Sequence, residues 1–261
     1  MKSKLFDKTG KSKETIDLPK NFNSDIRRDI LLKVFETQKG IYSQAYGAKE
    51  GAGAQYSASG ISKKRRHDWK GTYGKGISRV PRKIMSRHGA NFNWIGATVS
   101  NTRGGRRPHA PKSIKNPFKK INKKELLIAF NSAFAGTVDQ KSLKKKYGKD
   151  IESGFIFGKD ILNSKTKEFI LAMENVFGEN SNKVLKNKSI RAGIGTLRGR
   201  KYKSNAGLLF VISSKENMKR KGVDVVRVDE LKIMDLSPNG EPGRITCYTE
   251  DSIKEIEERF K

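Results

Sequence analysis

The histidines His67, His88 and His109 are the residues whose chemistry and spacing could first suggest a site, because they recur every 21 residues. Equal spacing could indicate a repeat or a set of metal ligands. The flanking sequences RRHDW, SRHGA and RPHAP do not repeat, and no carboxylate or thiolate accompanies the histidines at ligand spacing. We therefore expect no metal site here.

Three glycine motifs resemble nucleotide-binding loops, but none is complete. "GAGAQYSASG" at residues 51–60 has Tyr56 where a dinucleotide fingerprint needs glycine, and no predicted strand precedes it. "GIGTLRG" at 193–199 is one residue too long for that fingerprint. "GKS" at 10–12 ends like a phosphate-binding loop, but Leu5 stands where the first glycine belongs. We interpret all three as chance matches.

The single cysteine, Cys247, lies in an apolar alternation, so we expect a buried core thiol. One cysteine excludes an internal disulfide framework and a cysteine-based zinc site. No Cys-His or Ser-His-Asp pairing can be argued, because the cysteine and the histidines fall in different predicted elements. The sequence therefore predicts no catalytic site and no cofactor, and hence a protein that is not an enzyme.

The charge of the chain points to a polyanionic partner. Among 261 residues, 56 are Lys or Arg and 27 are Asp or Glu, which gives a net charge of +29. Such an excess attracts nucleic acid, with an anionic membrane as the minor alternative. No run of eighteen apolar residues could span a bilayer and the N-terminus lacks an apolar signal region, so we expect an intracellular protein.

The positive charge is concentrated in two segments. Residues 61–120 contain 17 basic residues and one acid, Asp68, and residues 183–203 contain 8 basic residues and no acid. Residues 204–261 are balanced, with 10 basic and 11 acidic residues. The two basic segments are therefore the predicted binding surfaces, although a solvated basic loop is the alternative for each.

The remaining sequence predicts an α/β fold, as a layered globular domain with a mostly parallel central sheet flanked by helices. Four helices are predicted: from a Ser24 cap to about Gln38, after a capping box at Asn122 and Glu125, from a Ser164 cap to Gly178, and over Glu250–Phe260. Four apolar runs predict strands, at 154–157, 207–213, 223–228 and 244–249. Residues 1–39 and 121–261 would form this one discontinuous domain.

Residues 40–120 fit neither a helical nor a strand period. They contain four of the seven prolines, both tryptophans and all three histidines. A loop this long is either a disordered insertion or an arm that takes its shape from a partner. Disordered linkers are poor in aromatic residues, whereas this segment is rich in them, and bases stack on aromatic rings and arginine planes. We therefore predict a long, extended basic arm that contacts RNA, with the histidines as RNA-contacting or stacking residues.

Glycine alternates with basic and aromatic residues in two segments. They are "RRHDWKGTYGKGISRVPRK", which starts with Arg65 and Arg66 and ends at Lys83, and "SIRAGIGTLRGRKYK" at Ser189–Lys203. Glycine allows the backbone to approach phosphates closely, and arginine can bind phosphate or stack on a base. Both segments are predicted to bind RNA.

Five motifs occur in an order and spacing that closely resemble the archaeal and eukaryotic branch of the large-subunit ribosomal protein four family. They are "DLPKNFNSDIRRDILLKVFETQKGIYSQAYG", "GTYGKGISRVPRK", "GGRRPHAPK", "SIRAGIGTLRGRKY" and "GRITCYTEDSIKEIEER". The resemblance implies a structural protein of the cytoplasmic ribosome. Its globular domain would lie on the large subunit, and its arm would penetrate the large-subunit rRNA towards the polypeptide exit tunnel.

The resemblance also implies roles for individual residues. Those expected nearest the tunnel, beside ribosomal protein twenty-two and the passing nascent chain, are Gly71, Thr72, Tyr73, Gly74, Lys75, Arg79 and Arg82. Those expected to bind rRNA, besides Arg65, Arg66, Lys75, Arg79 and Arg82, are Lys70, Arg103, Arg106, Arg107, His109, Lys112, Arg191, Arg198, Arg200, Lys201 and Tyr202. No homo-oligomer is expected.

The stretch Lys83–Thr102 departs from the family pattern, so no contacts are transferred to it. Trp94 there could stack on a base or pack against the protein's own arm. Two other functions stay open from sequence alone: an RNA-modifying or nucleotide-using enzyme with a basic arm, and a free RNA-binding regulator. ATP or methyl-donor binding would favour the enzyme, and absence from large subunits would favour the regulator.

Overall fold

The structure, a computed structural model, describes residues 2–60, 64–148, 154–186, 188–220 and 222–260. The chain divides into two compact units. The first unit comprises Met1–Tyr42 and Phe118–Lys261, and the second unit comprises Ser43–Pro117. The sequence analysis placed the boundaries of the arm at 39/40 and 120/121. That this segment penetrates rRNA remains a prediction.

Ten strands occur in the described residues. They are β1 (Lys2–Phe6), β2 (Ser12–Asp17), β3 (Arg82–His88), β4 (Asn91–Gly96), β5 (Phe155–Phe157), β6 (Lys188–Ile190), β7 (Tyr202–Ser204), β8 (Leu209–Ile212), β9 (Asp224–Arg227) and β10 (Thr246–Thr249). Six of them form the sheet of the first unit, in the order β2-β1-β5-β10-β8-β9. Only β1 and β2 pair antiparallel, so the predicted mostly parallel sheet is confirmed.

Helices cover both faces of this sheet. They are α1 (Arg28–Ile41), α2 (Lys123–Val138), α3 (Gln140–Tyr147), α4 (Thr166–Phe177), α5 (Ser181–Val184), α6 (Ile233–Leu236) and α7 (Glu250–Arg259), with short 3₁₀ turns at Lys20–Asn23, Lys159–Ile161, Gly178–Asn180 and Pro238–Gly240. Helices α1, α2 and α7 contribute to one apolar cluster, and α4 packs into a second. In the described ranges every helix is too short or too polar to cross a bilayer.

The sheet centre is apolar on both faces, which explains why its strands were visible in the sequence. Strands β8 and β10 are fully buried, and Cys247 in β10 is a buried core thiol, as predicted. Burial raises the pKa of the Cys247 thiol well above its ordinary value. Strands β1 and β2 were not predicted, because β2 is exposed along nearly its whole length and carries no apolar alternation.

Two helix starts differ from the predictions. Helix α1 begins at Arg28 rather than after Ser24, because the backbone around Arg27 is extended and is held by Ser132 of α2. The Ser132 hydroxyl donates to the Asp25 carbonyl oxygen at 2.9 Å and accepts from the Arg27 amide at 3.3 Å. Helix α4 is capped at Lys165, since the Ser164 hydroxyl donates to the Ile161 carbonyl oxygen instead.

The start of α2 at Asn122 was predicted correctly, but only half of the predicted capping box is present. The Asn122 side chain makes no capping hydrogen bond. Glu125 accepts a hydrogen bond from the Asn122 backbone amide, as a capping box requires, and another from Lys33 Nζ of α1 at 2.8 Å. Because Lys33 is exposed and Glu125 only half-buried, this surface ion pair between α1 and α2 adds little stability.

The second unit contains regular structure that the sequence did not predict. Strands β3 and β4 form an antiparallel hairpin that pairs Arg82 with Gly96 and His88 with Asn91, with an irregularity between Ile84 and Ser86. The expectation of no strand in this segment was wrong for residues 82–96. In β3, polar and apolar residues are mixed on both faces, so no alternation is visible. In β4, Phe92 and Trp94 do alternate with Asn91 and Asn93, but the alternation is too short to have been taken for a strand.

Candidate nucleic-acid interface

The loop before the hairpin holds several predicted site residues in fixed orientations. Gly71 and Thr72 are buried in the second unit, whereas Lys75 and Arg79 are exposed. The Arg79 guanidinium lies 5.3 Å from the centre of the Tyr73 ring, and Arg82 Nη2 donates to the Ser78 carbonyl oxygen at 2.7 Å. These contacts leave guanidinium donors available to an incoming phosphate. The remaining predicted residues of this loop are exposed or half-buried: Arg65, Arg66, Lys70, Tyr73 and Gly74.

An aromatic cluster of Trp69, Phe92 and Trp94 braces the hairpin. The rings of Trp69 and Phe92 are 5.2 Å apart and nearly perpendicular, and Trp94 lies 6.3 Å from each. Edge-to-face pairs of this kind stabilise by about 0.5–1.5 kcal/mol each. Two roles were left open for Trp94, stacking on a base or packing against the protein's own arm. In the structure Trp94 packs against rings of its own unit. Trp69 remains 62% exposed and could still stack on a base.

Two cation–aromatic pairs lie in the stretch that the sequence analysis left without contacts. Lys83 Nζ lies 3.2 Å from the centre of the Tyr56 ring, and the Arg87 guanidinium lies 5.2 Å from that of Phe92. Sequence reasoning named neither Lys83, the last residue of the motif "GTYGKGISRVPRK", nor Arg87, which lies beyond that motif, as an interface candidate. Both residues lie in β3, which is exposed from Ile84 to His88. Only recognition of the hairpin in the sequence would have identified them as surface candidates.

The two limbs of the second unit run side by side. The Ala48 amide donates to the Pro111 carbonyl oxygen at 3.2 Å, and a Cβ at Gly53 would lie 2.6 Å from the Gly105 carbonyl oxygen. The returning limb is fixed by a hydrogen bond from the Arg106 amide to the Thr98 carbonyl oxygen at 3.0 Å. All five predicted rRNA-binding residues of this limb are exposed: Arg103, Arg106, Arg107, His109 and Lys112.

The second basic segment forms a separate hairpin in the first unit. Strands β6 and β7 pair antiparallel, and the Arg191 amide continues the ladder to the Lys201 carbonyl oxygen at 2.8 Å. The structure thus brings together the predicted residues of this segment, of which Arg191 is half-buried and the others are exposed: Arg191, Arg198, Arg200, Lys201 and Tyr202. The Lys201 ammonium lies 5.7 Å from the Tyr202 ring centre.

Apolar side chains of this hairpin are exposed between the cations. Ile190 is 69%, Ile194 63% and Leu197 89% exposed. Exposed apolar groups inside a basic surface indicate contact with an apolar surface, such as the face of an unstacked base. The sequence analysis gave these three residues no role, because it argued the segment from its glycine, arginine and aromatic residues alone.

Arg244 anchors the base of this hairpin to the sheet. Its guanidinium is almost fully buried and donates to the carbonyl oxygens of Ala206, Gly207 and Asp235 at 2.7, 3.0 and 2.7 Å. It also donates to Asp224 Oδ2 at 2.6 Å, while Lys186 Nζ binds the other carboxylate oxygen. Burial alone would raise the pKa of Asp224, but the hydrogen bonds from Lys186 and Arg244 outweigh it and hold the pKa below its ordinary value.

The described residues contain no group of three or more His, Cys, Asp or Glu side chains that could hold a metal ion. His67, His88 and His109 are exposed in the second unit. What the described surfaces offer is charge and ring faces: guanidinium and ammonium groups with exposed aromatic and apolar side chains between them. This combination suits an RNA backbone with unstacked bases.

Comparisons with known proteins extend over the same residues. A profile of the ribosomal protein L4/L1 family matches residues 16–259. The large ribosomal subunit protein uL4 of Nanoarchaeum equitans is 35% identical over 252 residues, which cover 94% of this chain and 93% of that protein. The uL4 of Methanocaldococcus jannaschii is 32% identical, with 100% of each chain covered. The uL4 of Haloquadratum walsbyi is 31% identical, with 99% of this chain and 100% of that protein covered.

Proposed function

The chain belongs to the ribosomal protein L4/L1 family and is a structural constituent of the large ribosomal subunit, and we propose that it binds large-subunit rRNA through two separate surfaces. One surface is the second unit, and the other is the β6–β7 hairpin of the first unit. Its role is structural rather than enzymatic, and its place is the ribosome in the cytoplasm.

The observation that carries this proposal is the exposed, nearly acid-free row of cations along the returning limb. Arg103, Arg106, Arg107 and Lys112 are all exposed, and no acidic residue occurs between Asn101 and Ile121. Glycine and proline alternate with them, so the backbone can lie close to phosphates. Each cation that neutralises a phosphate releases a counterion, which drives binding.

The β6–β7 hairpin supports a second contact of a different kind. Arg191, Arg198 and Arg200 supply charge, and Leu197 and Ile194 supply exposed apolar surface beside it. Arg244 fixes the base of the hairpin through the carbonyl oxygens of Ala206 and Gly207, so these side chains are presented from a rigid platform. A rigid platform lowers the entropy cost of binding.

We further propose that the loop Gly71–Arg82 approaches the polypeptide exit tunnel. Its neighbours there would be ribosomal protein twenty-two and the nascent chain. The exposed Lys75 and the Arg79–Tyr73 pair suit contact with the RNA wall. The proposal rests on the family motif "GTYGKGISRVPRK" in this loop.

Incorporation into large subunits tests the proposed function. We expect wild-type protein to remain in the large-subunit peak of a high-salt sucrose gradient at near-stoichiometric amounts. A variant with Arg103, Arg106 and Arg107 changed to Ala should be depleted from this peak, because three phosphate contacts are lost. A matched variant with the exposed Lys141, Lys167 and Lys215 changed to Ala controls for loss of charge alone. Wild-type protein that stays at the top of the gradient would instead indicate a free RNA-binding regulator.

A further inference from the structure

The first unit contains an open pocket of about 310 Å³ that neither basic segment includes. Arg28, at the start of α1, and Lys145 and Lys146, in the last turn of α3, contribute three cations to its lining. Ser142 of α3 and the loop Pro238–Pro242 supply the rest of the wall, and the loop adds one carboxylate, that of Glu241. The pocket therefore has a surplus of positive charge beside proline faces.

The pocket is preformed, because its loop is pressed against neighbouring helices. A Cβ at Gly240 would lie 2.8 Å from Leu32 Cδ1 of α1, so only glycine fits this approach. A Cβ at Gly136 of α2 would lie 2.6 Å from Pro242 Cβ. These contacts fix the loop between α1 and α2, so a ligand would bind without ordering it first.

The cations of the pocket are only partly neutralised by the protein. Lys145 Nζ lies 3.7 Å from Glu241 Oε2, whereas Lys146 Nζ donates to the backbone carbonyl oxygen of Glu241 at 3.3 Å. Burial and the nearby charge of Arg244 lower the pKa of Lys146 to about 8, although the charge of Glu241 opposes this. At neutral pH Lys146 therefore remains mainly a cation, and its side chain is exposed to an incoming anion, which would stabilise the charged form.

We propose that this pocket binds a single nucleotide unit, with its phosphate on Arg28, Lys145 and Lys146 and its base against Pro238 and Pro242. Pocket volume favours a nucleotide over a lone phosphate, since sites for small molecules begin at about 300 Å³. The apolar rings of the two prolines can pack against a base but offer no favourable contact to a lone phosphate. The choice of RNA as the natural source rests on the proposed function, in which the rest of the chain also binds RNA.

Photo-crosslinking with 8-azidoadenosine monophosphate tests the site in the full-length protein. We expect crosslinked peptides from residues 140–147 and 237–243. Adenosine monophosphate should compete at least about tenfold better than adenosine or inorganic phosphate, because only the nucleotide fills both halves of the pocket. Equal competition by inorganic phosphate, better competition by a glutamate-rich peptide, or crosslinks confined to residues 43–117 would each overturn the proposal.

Variants separate binding from folding. Lys146→Met should weaken competition by adenosine monophosphate about tenfold or more, and Lys146→Arg should largely retain it, because the charge is kept. Lys141→Met on the same helix lies outside the pocket and should have no effect. Unchanged competition with a folded Lys146→Met protein contradicts the site.

The pH dependence gives a second readout. Lys146 loses its proton as the pH rises through its lowered pKa, so wild-type affinity should fall between about pH 7 and pH 10. The nucleotide phosphate is already a dianion over this range. Lys146→Arg should remove most of the fall, because Arg28, Arg244 and the arginine introduced at 146 stay charged. A fall of the same size in Lys146→Arg would overturn the assignment of the phosphate contact to Lys146.

Two further arms identify the source of the nucleotide and keep this proposal apart from the proposed function. A short RNA with one looped-out nucleotide should compete better for the pocket than a fully paired duplex, and better competition by free nucleotide would overturn RNA as the source. The Arg103, Arg106 and Arg107 variant should lose incorporation but keep the crosslink in the pocket. If wild-type protein is incorporated into large subunits but gives no crosslink in the pocket, the pocket proposal is wrong and the proposed function is unaffected.

Discussion

At the residue scale, Arg244 determines how the first unit supports its hairpin. Charged side chains are almost never fully buried unless they are paired. Arg244 meets this condition, because Asp224 and three backbone carbonyl oxygens satisfy its guanidinium. The motif "GRITCYTEDSIKEIEER", which contains Arg244, predicted the strand β10 that follows. It gave no indication that Arg244 contacts the base of the β6–β7 hairpin.

We expect Arg244→Met to destabilise the first unit. The change removes the Arg244 donors from the buried carbonyl oxygen of Gly207 and the part-buried carbonyl oxygen of Ala206, which costs about 1–3 kcal/mol. Urea unfolding of the purified protein measures this as a lower free energy of unfolding. Arg200→Met is the matched control, because Arg200 is exposed in the hairpin loop, and its effect should stay within about 0.5 kcal/mol. Equal stability of the two variants would contradict the anchoring role.

At the element scale, the β3–β4 hairpin is the main correction to the sequence analysis. A two-stranded hairpin is only marginally stable by itself in water. Here Gly60 adds a bridge to Arg82, with hydrogen bonds of 2.9 and 2.8 Å, and the rings of Trp69, Phe92 and Trp94 pack together. These contacts indicate that part of the predicted arm can order itself without RNA.

Hydrogen exchange on the full-length free protein tests this order. We expect the amides of residues 82–96 to exchange more slowly than those of 101–117. Trp94→Ala should remove most of this protection, because it deletes two aromatic contacts of about 0.5–1.5 kcal/mol each. Met85→Ala, at the exposed irregularity of β3, is the control and should keep it. Absence of protection in the wild type would mean that the partner shapes the whole segment.

At the scale of the whole molecule, the net charge of +29 is concentrated in the segments predicted to bind RNA rather than in those that form the core. The last 58 residues, which build much of the sheet and α7, carry balanced charge, so this part of the first unit packs without strong self-repulsion. The excess lies in residues 61–120 and 183–203. Charge neutralised by a polyanion removes the repulsion that would otherwise oppose compaction.

Salt should therefore control affinity for RNA. If about 6–10 phosphates are neutralised, affinity for a large-subunit rRNA fragment falls about 10³–10⁵-fold between about 50 and 200 mM salt. The variant with Arg103, Arg106 and Arg107 changed to Ala should show a logarithmic slope that is shallower by about 2–3. Filter binding over a salt series measures both quantities. A flat response in the wild type would exclude binding led by phosphate contacts.

The sequence by itself determined the features that depend on local pattern. Apolar runs fixed β8, β9 and β10, helical spacing gave α2, α4 and α7 to within a few residues, and the charge count located both basic segments. Such patterns are readable because a buried strand or helix face must be apolar wherever the chain folds. The five family motifs added the identity that composition could not supply.

Only the tertiary structure decided the features that depend on residues far apart in the chain. The exposed strand β2, the packing of Trp69 on β4, the Arg244 anchor and the pocket at Arg28 and Lys146 leave no periodic signal. Apart from β2, which pairs with the strand β1 directly before it in the chain, each depends on partners tens to hundreds of residues away. Long-range pairing is selected by which surfaces meet after folding, and a local pattern holds no record of that choice.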